Sequence, residues 1–283
     1  MPAFSIITAT YNAEKTIRRL LDSLAAQTSR DFNVIIQDGN STDDTLIIAK
    51  SYYEKIPNIL IQSVHDSGIY DAWNRALDRA GDKLGQWVLF LGADDALASD
   101  TVLEDVACKI CNIRKSVLFL YGRVVYVNGD DIGNEHEESE LHVMFDNLWN
   151  AMSVQNSGLF YSHRLFEYNR FDASFKIAGD YDFFVRNWRS PDELIKIDVL
   201  VTKFALGGCS SDYSQARILL EENFKITKQY FPEKYNKLIY FRRRLKIAYL
   251  CQKYYLRCHL QQFCFGRALL CWYKKMKQLL YIK

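Results

Sequence analysis

The sequence has no apolar run long enough to cross a membrane as a helix, which takes roughly 18 residues. The longest candidate, residues 117–127, is short and is interrupted by Arg123. A secretory signal also needs a positively charged segment before its apolar stretch, but here the strand-like residues from Ser5 follow Met1 almost directly. We therefore expect neither a membrane-spanning helix nor a signal peptide.

The seven cysteines are not arranged like those of a disulfide framework or a zinc site. Their number is odd, and they do not form the two CxxC pairs that such a zinc site needs. Cys108 and Cys111 form a single CxxC on a predicted helix, where two small buried side chains are more common than a redox pair. Reduced thiols are typical of the cytoplasm, which is the location we expect.

No internal repeat or low-complexity linker divides the chain, but its charges are unevenly distributed. Residues 225–283 contain 15 Lys or Arg and a single acid, Glu233, so this segment carries a net charge of +14. The remaining 224 residues carry −12, and the whole chain carries +2. An acidic body with a basic tail indicates two different kinds of partner.

Short apolar runs alternate with helical patterns over the first part of the chain. Strands are predicted at Phe4–Thr10, Asn33–Gln37, Ile59–Ser63 and Trp87–Leu91, with amphipathic helices between them. This alternation predicts an α/β fold with a mostly parallel sheet and helices on both faces. Ligands bind at the carboxyl ends of the strands in such a sheet, so polar residues there are candidate site residues.

The middle of the chain is less regular. Residues 117–127 predict two strands around Gly122, and the polar, acidic residues 128–140 predict a loop. Further strands are predicted at Ser157–Tyr161 and Ile195–Ala205. A helix is predicted at Asp180–Trp188, and the pattern is helical again from Tyr213 onward.

Asp38 ends the second predicted strand and begins a polar turn that continues to Thr45. A buried carboxylate without a partner is costly, and a ligand donor such as the N–H of a pyrimidine ring would satisfy it. Alternatively, Asp38 and Ser41 only cap the turn. The residues alone leave both interpretations open.

A second polar cluster runs from Asp66 to Asn74 and contains Gly68, which permits close approach of the backbone. Asp71 and Asn74 are one helical turn apart and share a face of the predicted helix. The alternative is an ordinary first turn of a helix, where aspartate is favoured by the helix dipole.

The third and fourth clusters are acidic. Asp94 and Asp95 follow a predicted strand, and adjacent carboxylates at such a point repel each other unless a cation lies between them and a phosphate. Asp180 begins a predicted helix beside aromatic residues, where a carboxylate is a candidate general base. In both places a helix N-cap is the simpler alternative.

Taken in order, these segments resemble the motifs of family 2 glycosyltransferases. The segments are Thr8-Ala9-Thr10-Tyr11-Asn12, the Asp38-Gly39 turn through Asp44-Thr45, Gly68 to Asn74, Gly92-Ala93-Asp94-Asp95 and Gly179-Asp180-Tyr181-Asp182. The resemblance covers residues 3–210 and is greatest to small bacterial enzymes that build O-antigen and other surface polysaccharides. It implies the GT-A fold, a Rossmann-like nucleotide-binding domain with a mixed, mostly parallel sheet.

The resemblance also implies an inverting, metal-dependent transfer of a single sugar from a nucleoside-diphosphate sugar, with a UDP-sugar favoured, to a hydroxyl of a glycan acceptor. Asp180 is then the base that deprotonates the acceptor, and Asp95 binds Mn²⁺ or Mg²⁺. Asp94 contacts the ribose, next to Ala93. The implied donor site further includes Thr8, Ala9, Tyr11, Asn12, Asp38, Asp66, Gly68, Asp71 and Asn74.

The sequence departs from the family pattern in one respect. Val154-Gln155 stands where relatives often have His-Gln, which leaves donor and acceptor preference open. The Gln-x-x-Arg-Trp motif and membrane spans of the processive synthases are absent from the sequence, which favours transfer of one sugar. Gly207-Gly208-Cys209-Ser210 resembles a loop near the phosphates in relatives, although a plain turn explains it equally well.

We predict a catalytic domain over residues 1–212 and a basic, aromatic-rich helical extension over residues 213–283. Basic helices with aromatic side chains often lie on anionic membrane surfaces. This suits a peripheral enzyme on the inner face of the cell membrane whose acceptor is linked to polyprenyl diphosphate. One alternative is that the extension is a helical hairpin packed on the catalytic domain. Another is that it binds single-stranded nucleic acid, but the acidic body would repel the phosphates.

Two other functions fit parts of the pattern less well. A nucleotidyltransferase usually has a Gly-rich loop with Lys or Arg after the first strand, but this chain has Ala9-Thr10-Tyr11-Asn12 there. A non-catalytic sugar-nucleotide-binding or scaffold protein of the same fold would be expected to have lost some of its acidic residues. Asp38, Asp94, Asp95 and Asp180 are all present.

Overall fold

The computed structural model describes residues 1–56, 58–128, 131–135, 148–152, 154–205 and 215–245. Within these residues, nine strands form one mixed sheet with the order β3-β2-β1-β4-β8-β6-β9-β5, and β7 pairs with β6. The strands are β1 Phe4–Thr10, β2 Phe32–Asp38, β3 Ile59–Ser63, β4 Trp87–Phe90, β5 Ala96–Leu97, β6 Phe119–Asn128, β7 Asp131–Glu135, β8 Leu159–Ser162 and β9 Leu194–Ala205.

The first four strands make the parallel half of the sheet, as the alternation predicted. β1 lies between β2 and β4, β3 lies outside β2, and all three pairings are parallel. The register sets Thr10, Asp38 and Ser63 side by side at the carboxyl ends of β1, β2 and β3. The sheet continues beyond β4 through the antiparallel strand β8.

Six helices with both ends in the described part of the chain accompany the sheet, and the described residues 237–245 are also helical. The six helices are α1 Ile17–Ala25, α2 Thr45–Lys50, α3 Ile69–Ala80, α4 Val102–Ile110, α5 Gly179–Asn187 and α6 Ala216–Tyr230. Successive residues of a strand point to opposite faces, so Ile6 packs in one core with α1 and α4, whereas Ile7 packs in the other with α3 and α5. The predicted α/β class with helices on both faces is confirmed.

An aromatic layer fixes α3 and α5 against the sheet. The ring of Trp73 lies 4.5 Å from that of Phe90, and the rings of Phe171 and Phe183 are also 4.5 Å apart. Complete burial of one such side chain stabilises the fold by about 1.5–3 kcal/mol. The layer therefore holds the start of α3 and the start of α5, which both carry predicted site residues, in a fixed relation.

Two predictions for the middle of the chain were wrong. Residues 119–128 form the single strand β6 rather than two strands around Gly122, because a glycine lets β9 come close: a Cβ there would lie 2.4 Å from Val201 Cγ2. The register between β6 and β9 shifts between Tyr121 and Val124, but the pairing continues on both sides. Residues 131–135, predicted as loop, form β7, because backbone pairing with β6 outweighs their polar composition.

The two cysteines of the CxxC are also placed differently from the prediction. Cys108 and Cys111 are exposed free thiols at the end of α4 rather than buried side chains. The apolar face of this helix is supplied by Val102, Leu103 and Val106, and the cysteines lie off it.

Helix α6 lies beyond the predicted domain boundary at residue 213, yet it packs into the core beneath α5. Ile226 is wholly buried there, and the hydroxyl of Thr227 donates to the carbonyl of Trp149 over 2.6 Å. Residues 246–283, most of the predicted extension, lie outside the described residues. In the part of the chain that the structure describes, no helix is both long enough and apolar enough to span a membrane.

Candidate active site

Asp38 is buried at the carboxyl end of β2, and the protein itself satisfies its carboxylate. The hydroxyls of Thr10, Ser41 and Ser63 and the backbone N–H of Ser41 all donate to it. Burial opposes ionisation, but these four hydrogen bonds keep the pKa of Asp38 below its usual value. Asp38 is therefore not an unpaired carboxylate that needs a ligand donor, and its contact with the donor base stays a prediction.

The loop after β1 borders the turn that Asp38 begins. Asn12 adopts a left-handed backbone, with φ of 49°, and its side-chain oxygen accepts the N–H of Thr42 while its own N–H donates to Ser41. Its neighbour Tyr11 is 68% exposed and open to a flat ligand. The side chain of Thr8 is wholly buried, and its predicted contact with the nucleoside is untested. Ala9 is partly exposed.

Asp66 lies against the same turn from the loop after β3. A Cβ on Gly39 would stand 2.9 Å from Asp66 Oδ2, so only glycine leaves room for this carboxylate. Asp66 Oδ1 accepts the N–H of Gly68, whose φ of 134° is disfavoured for other residues. Burial, together with the nearby charge of Asp71, raises the pKa of Asp66. The structure thus brings Asp38, Gly39 and Asp66 together at one edge of the sheet.

Asp71 and Asn74 have structural contacts at the start of α3. Asp71 Oδ2 accepts the N–H of Ser67 over 2.9 Å and the Nε of Arg75 over 3.2 Å. The Asn74 side chain makes two hydrogen bonds of 2.9 Å with the backbone of Phe171, one as donor and one as acceptor. Their predicted part in the donor pocket is untested, and Asn74 in particular fixes α3 to the segment that leads to Asp180.

Asp94 and Asp95 follow β4 at the same edge of the sheet. A Cβ on Gly92 would lie 2.6 Å from Asp94 Oδ1 and 3.2 Å from Asp95 Oδ2, so the two carboxylates converge over this glycine. Asp95 is 2% exposed, and its oxygens accept the N–H groups of Gly92 and Ala205. Burial, and then the charge of Asp94, raises the pKa of Asp95 to about 7.

This carboxylate pair fits a divalent cation. Oxygen ligands are those that Mg²⁺ and Mn²⁺ prefer, and Mg²⁺ is typically held by one or two carboxylates together with substrate phosphates. Among the described residues, no three His, Cys, Asp or Glu side chains form a closed metal cluster. The pair therefore fits a cation whose other ligands are phosphate oxygens and water.

Asp180 lies at the first turn of α5, and its carboxyl is held by two donors. Oδ1 accepts the backbone N–H of Tyr181 over 2.9 Å and the hydroxyl of Tyr70 over 3.2 Å. Burial raises the pKa of Asp180 to about 6. A group with this pKa is largely ionised at neutral pH and can accept a proton there, as a general base must.

Comparison with known proteins decides the family. The model of the family described as Glycosyl transferase family 2 matches residues 5–175, which is more than half of the chain. The chain belongs to this family. A curated relative of this family 2 glycosyltransferase is a PGL/p-HBAD biosynthesis glycosyltransferase of Mycobacterium bovis, 34% identical over 193 residues that cover 67% of this chain and 71% of the relative.

Other similar proteins agree with this assignment. Poly(ribitol-phosphate) beta-N-acetylglucosaminyltransferase TarS of Staphylococcus aureus is 37% identical over 133 residues, 46% of this chain and 22% of TarS. The crystal structure of TarS residues 1–349 in complex with UDP-GlcNAc superposes with a TM-score of 0.59 at 24% identity, covering 81% of this chain and 71% of that chain. The structure of mannosyltransferase PcManGT from Pyrobaculum calidifontis, in complex with GDP-Man and Mn²⁺, superposes with a TM-score of 0.55 at 16% identity. The match covers 99% of this chain and 81% of that chain.

The predicted family, GT-A fold and enzyme class are thereby confirmed, and the protein is a glycosyltransferase.

Sequence reasoning missed three residues of the site. Tyr70 holds Asp180, Arg19 of α1 is close enough for its positive charge to lower the pKa of Asp95, and Glu222 of α6 binds the loop before Asp180. Only Tyr70 lay within a motif, and the other two are brought to the site by tertiary packing.

Proposed function

We propose that this glycosyltransferase transfers one sugar, with inversion, from a UDP-sugar to a hydroxyl of a glycan acceptor, using Mn²⁺ or Mg²⁺. The observation that carries this proposal is the presence of two different carboxylate centres, one directly after β4 and the other at the first turn of α5. Asp94 and Asp95 converge as a pair, whereas Asp180 stands apart from them with a pKa suited to proton transfer. A diphosphate donor requires a cation site, and a hydroxyl acceptor requires a base.

The residues would divide the reaction between them. Asp180 accepts the proton of the acceptor hydroxyl, whose oxygen forms the new bond to the anomeric carbon as the bond to the diphosphate breaks. Asp95 would hold the cation, which when bound offsets the negative charge on the leaving diphosphate, and the negative charge of Asp94 beside it would strengthen the attraction. The hydroxyl of Tyr70 keeps the Asp180 carboxyl oriented. One displacement of this kind inverts the anomeric configuration.

The donor site would lie over the turns after β1, β2 and β3. Tyr11 offers an exposed ring for stacking on the base, and Asp38 and Asp66 approach each other across Gly39. A UDP-sugar is favoured because the TarS structure that this chain resembles holds UDP-GlcNAc. The structure of PcManGT holds GDP-Man, so a GDP-sugar is the donor to compare.

We expect the purified protein with Mn²⁺ to release UDP slowly from one UDP-sugar when water replaces the acceptor. The measurement is a panel of UDP-, GDP- and dTDP-sugars, with the released nucleoside diphosphate as readout and EDTA as the control. Release from a GDP- or dTDP-sugar alone would contradict the UDP proposal. No release and no donor binding by calorimetry would favour the non-catalytic alternative.

We further propose that the enzyme binds the anionic inner surface of the cell membrane, where a polyprenyl-diphosphate-linked acceptor for O-antigen or other surface polysaccharide would lie. The described residues 237–245 are helical, and Leu238, Phe241 and Leu245 are 55–57% exposed. Their spacing places them on one face of this helix. Arg242 and Arg244 are exposed beside them, as a membrane-surface helix requires.

We expect intact protein to bind liposomes that contain phosphatidylglycerol, and not neutral ones, at low salt. Each basic residue near such a surface contributes about 1 kcal/mol, so R242Q/R244Q should bind about 30-fold more weakly. F241S should also bind more weakly, because it removes an exposed apolar ring from this helix. Y168S is its matched control, because Tyr168 is 91% exposed and does not belong to this helix. Equal binding of all variants, or none by the wild type, would contradict the proposal.

A further inference from the structure

Glu222 of α6 makes an unusual set of contacts with the loop that leads to Asp180. Its carboxylate accepts the backbone N–H groups of Lys176, Ile177 and Ala178 over 2.6, 3.0 and 2.8 Å. Hydrogen bonds to an ionised acceptor are about twice as strong as neutral ones. A single side chain therefore fixes three consecutive peptide groups immediately before α5.

The three peptide groups are connected directly to the candidate base. The single hydroxyl hydrogen of Tyr70 is shared between the carbonyl of Ile177, which is the nearer acceptor, and Asp180 Oδ1. A Cβ on Gly179 would lie 2.7 Å from the Tyr70 ring, so the backbone and the ring are in close contact. A displacement of the loop would thus move both Asp180 and its hydrogen-bond donor.

Helix α6 is itself well anchored, so Glu222 acts from a fixed position. Ile226 is wholly buried, and the hydroxyl of Tyr230 donates to Asp182 over 3.2 Å. The ammonium of Lys225 lies 4.1 Å above the ring of Phe175. The helix begins well after residue 175, where the match to the family model ends.

We propose that Glu222 is a positioning residue of the transferase reaction: its carboxylate holds residues 176–178 and so fixes the Asp180 carboxyl where it must accept the acceptor proton. This proposal rests on the proposed role of Asp180 as the base. A displacement of about 1 Å from productive geometry can lower a rate about 100-fold. Glu222 affects the reaction through Asp180 and does not contact the reacting atoms.

The charge of Glu222 gives the proposal a second, independent readout. Burial is the main cause of the raised pKa of Asp180, and the negative charge of Glu222 adds to it. The other titratable groups that face Asp180 are the phenols of Tyr70 on α3 and Tyr161 on β8, whose own pKa values burial raises well above 10. Removing the charge of Glu222 should therefore lower the pKa of Asp180.

The test compares E222A, E222Q and the wild type, with E221A as the matched control. Glu221 is the neighbouring acid on α6 but is exposed, and its carboxylate pairs with Arg217 at 3.0 Å. The first readout is hydrogen exchange of the amides of residues 176–178, measured without substrate. The second is the pH profile of UDP release, with Mn²⁺ and the donor that is active in the panel.

In E222A we expect exchange at residues 176–178 to be roughly 10- to 100-fold faster and kcat to be about 100-fold lower, with KM for the donor almost unchanged. E222Q should retain more of the wild-type kcat than E222A, and the acidic limb of its pH–rate profile should lie at lower pH than that of the wild type. E221A should match the wild type in both readouts. Unchanged exchange in E222A, or a rate loss in E222Q without a shifted limb, would overturn the proposal. A wild type without turnover would instead refute the proposed function. The exchange measurement would still test whether Glu222 holds residues 176–178.

Discussion

Replacing Asp180 with asparagine is expected to lower kcat about 1,000-fold while leaving the donor affinity almost unchanged. General-base catalysis typically contributes a factor of about 10² to 10⁴, and asparagine cannot accept the proton. The asparagine oxygen can still accept the hydrogen bonds that Tyr70 and the Tyr181 N–H now donate to Asp180, so the local structure should persist. Turnover and calorimetric donor binding, measured on the same preparation, separate the two effects.

The pH dependence provides a further check on the same residue. Since the pKa of Asp180 is raised to about 6, its ionised form predominates above that pH and the wild-type rate should fall as the pH drops through 6. D180N should have no such acidic limb in its residual activity. D172N is the matched control, because Asp172 is an exposed aspartate on the preceding segment that binds the Ser174 N–H and lies 3.9 Å from Lys225. A D180N enzyme with wild-type kcat would exclude Asp180 as the base.

Replacing Asp95 with asparagine should abolish the dependence of donor binding on Mn²⁺ and lower turnover about 1,000-fold. The cation contributes several kcal/mol of charge stabilisation to the leaving diphosphate, and about 4 kcal/mol corresponds to this factor. Asparagine has nearly the same shape but lacks the charge that attracts the cation. The measurements are Mn²⁺-dependent calorimetry with UDP and release of UDP from the active donor.

The structural contacts of Asp95 require a careful control. Its oxygens accept the N–H groups of Gly92 and Ala205, so the melting temperature of D95N must be compared with that of the wild type. D105N is the matched variant, because Asp105 is an exposed acid on α4 whose carboxylate accepts the hydroxyl of Thr101. If a folded D95N retained Mn²⁺-dependent UDP binding, Asp95 would not be a ligand of the cation.

Much of the parallel half of the sheet could be predicted from the sequence, because strand and helix there follow from local apolar periodicity. β1 and β3 were predicted with their observed bounds, and α3 lies between β3 and β4, where an amphipathic helix was predicted. The carboxyl ends of neighbouring parallel strands meet at one edge, so the acids that follow them were expected to lie together. The approach of Asp66, after β3, to Gly39, which directly follows Asp38 and β2, agrees with that expectation.

The sequence by itself therefore determined the class of fold, the family and the edge of the sheet that carries the acids, since each depends on local pattern or on motif order. Only the tertiary structure decided that Asp38 is satisfied by Thr10, Ser41 and Ser63, and that Glu222 holds the loop before Asp180. These contacts join residues that lie up to 46 positions apart. Their geometry is fixed by strand register and helix packing, which no local periodicity encodes.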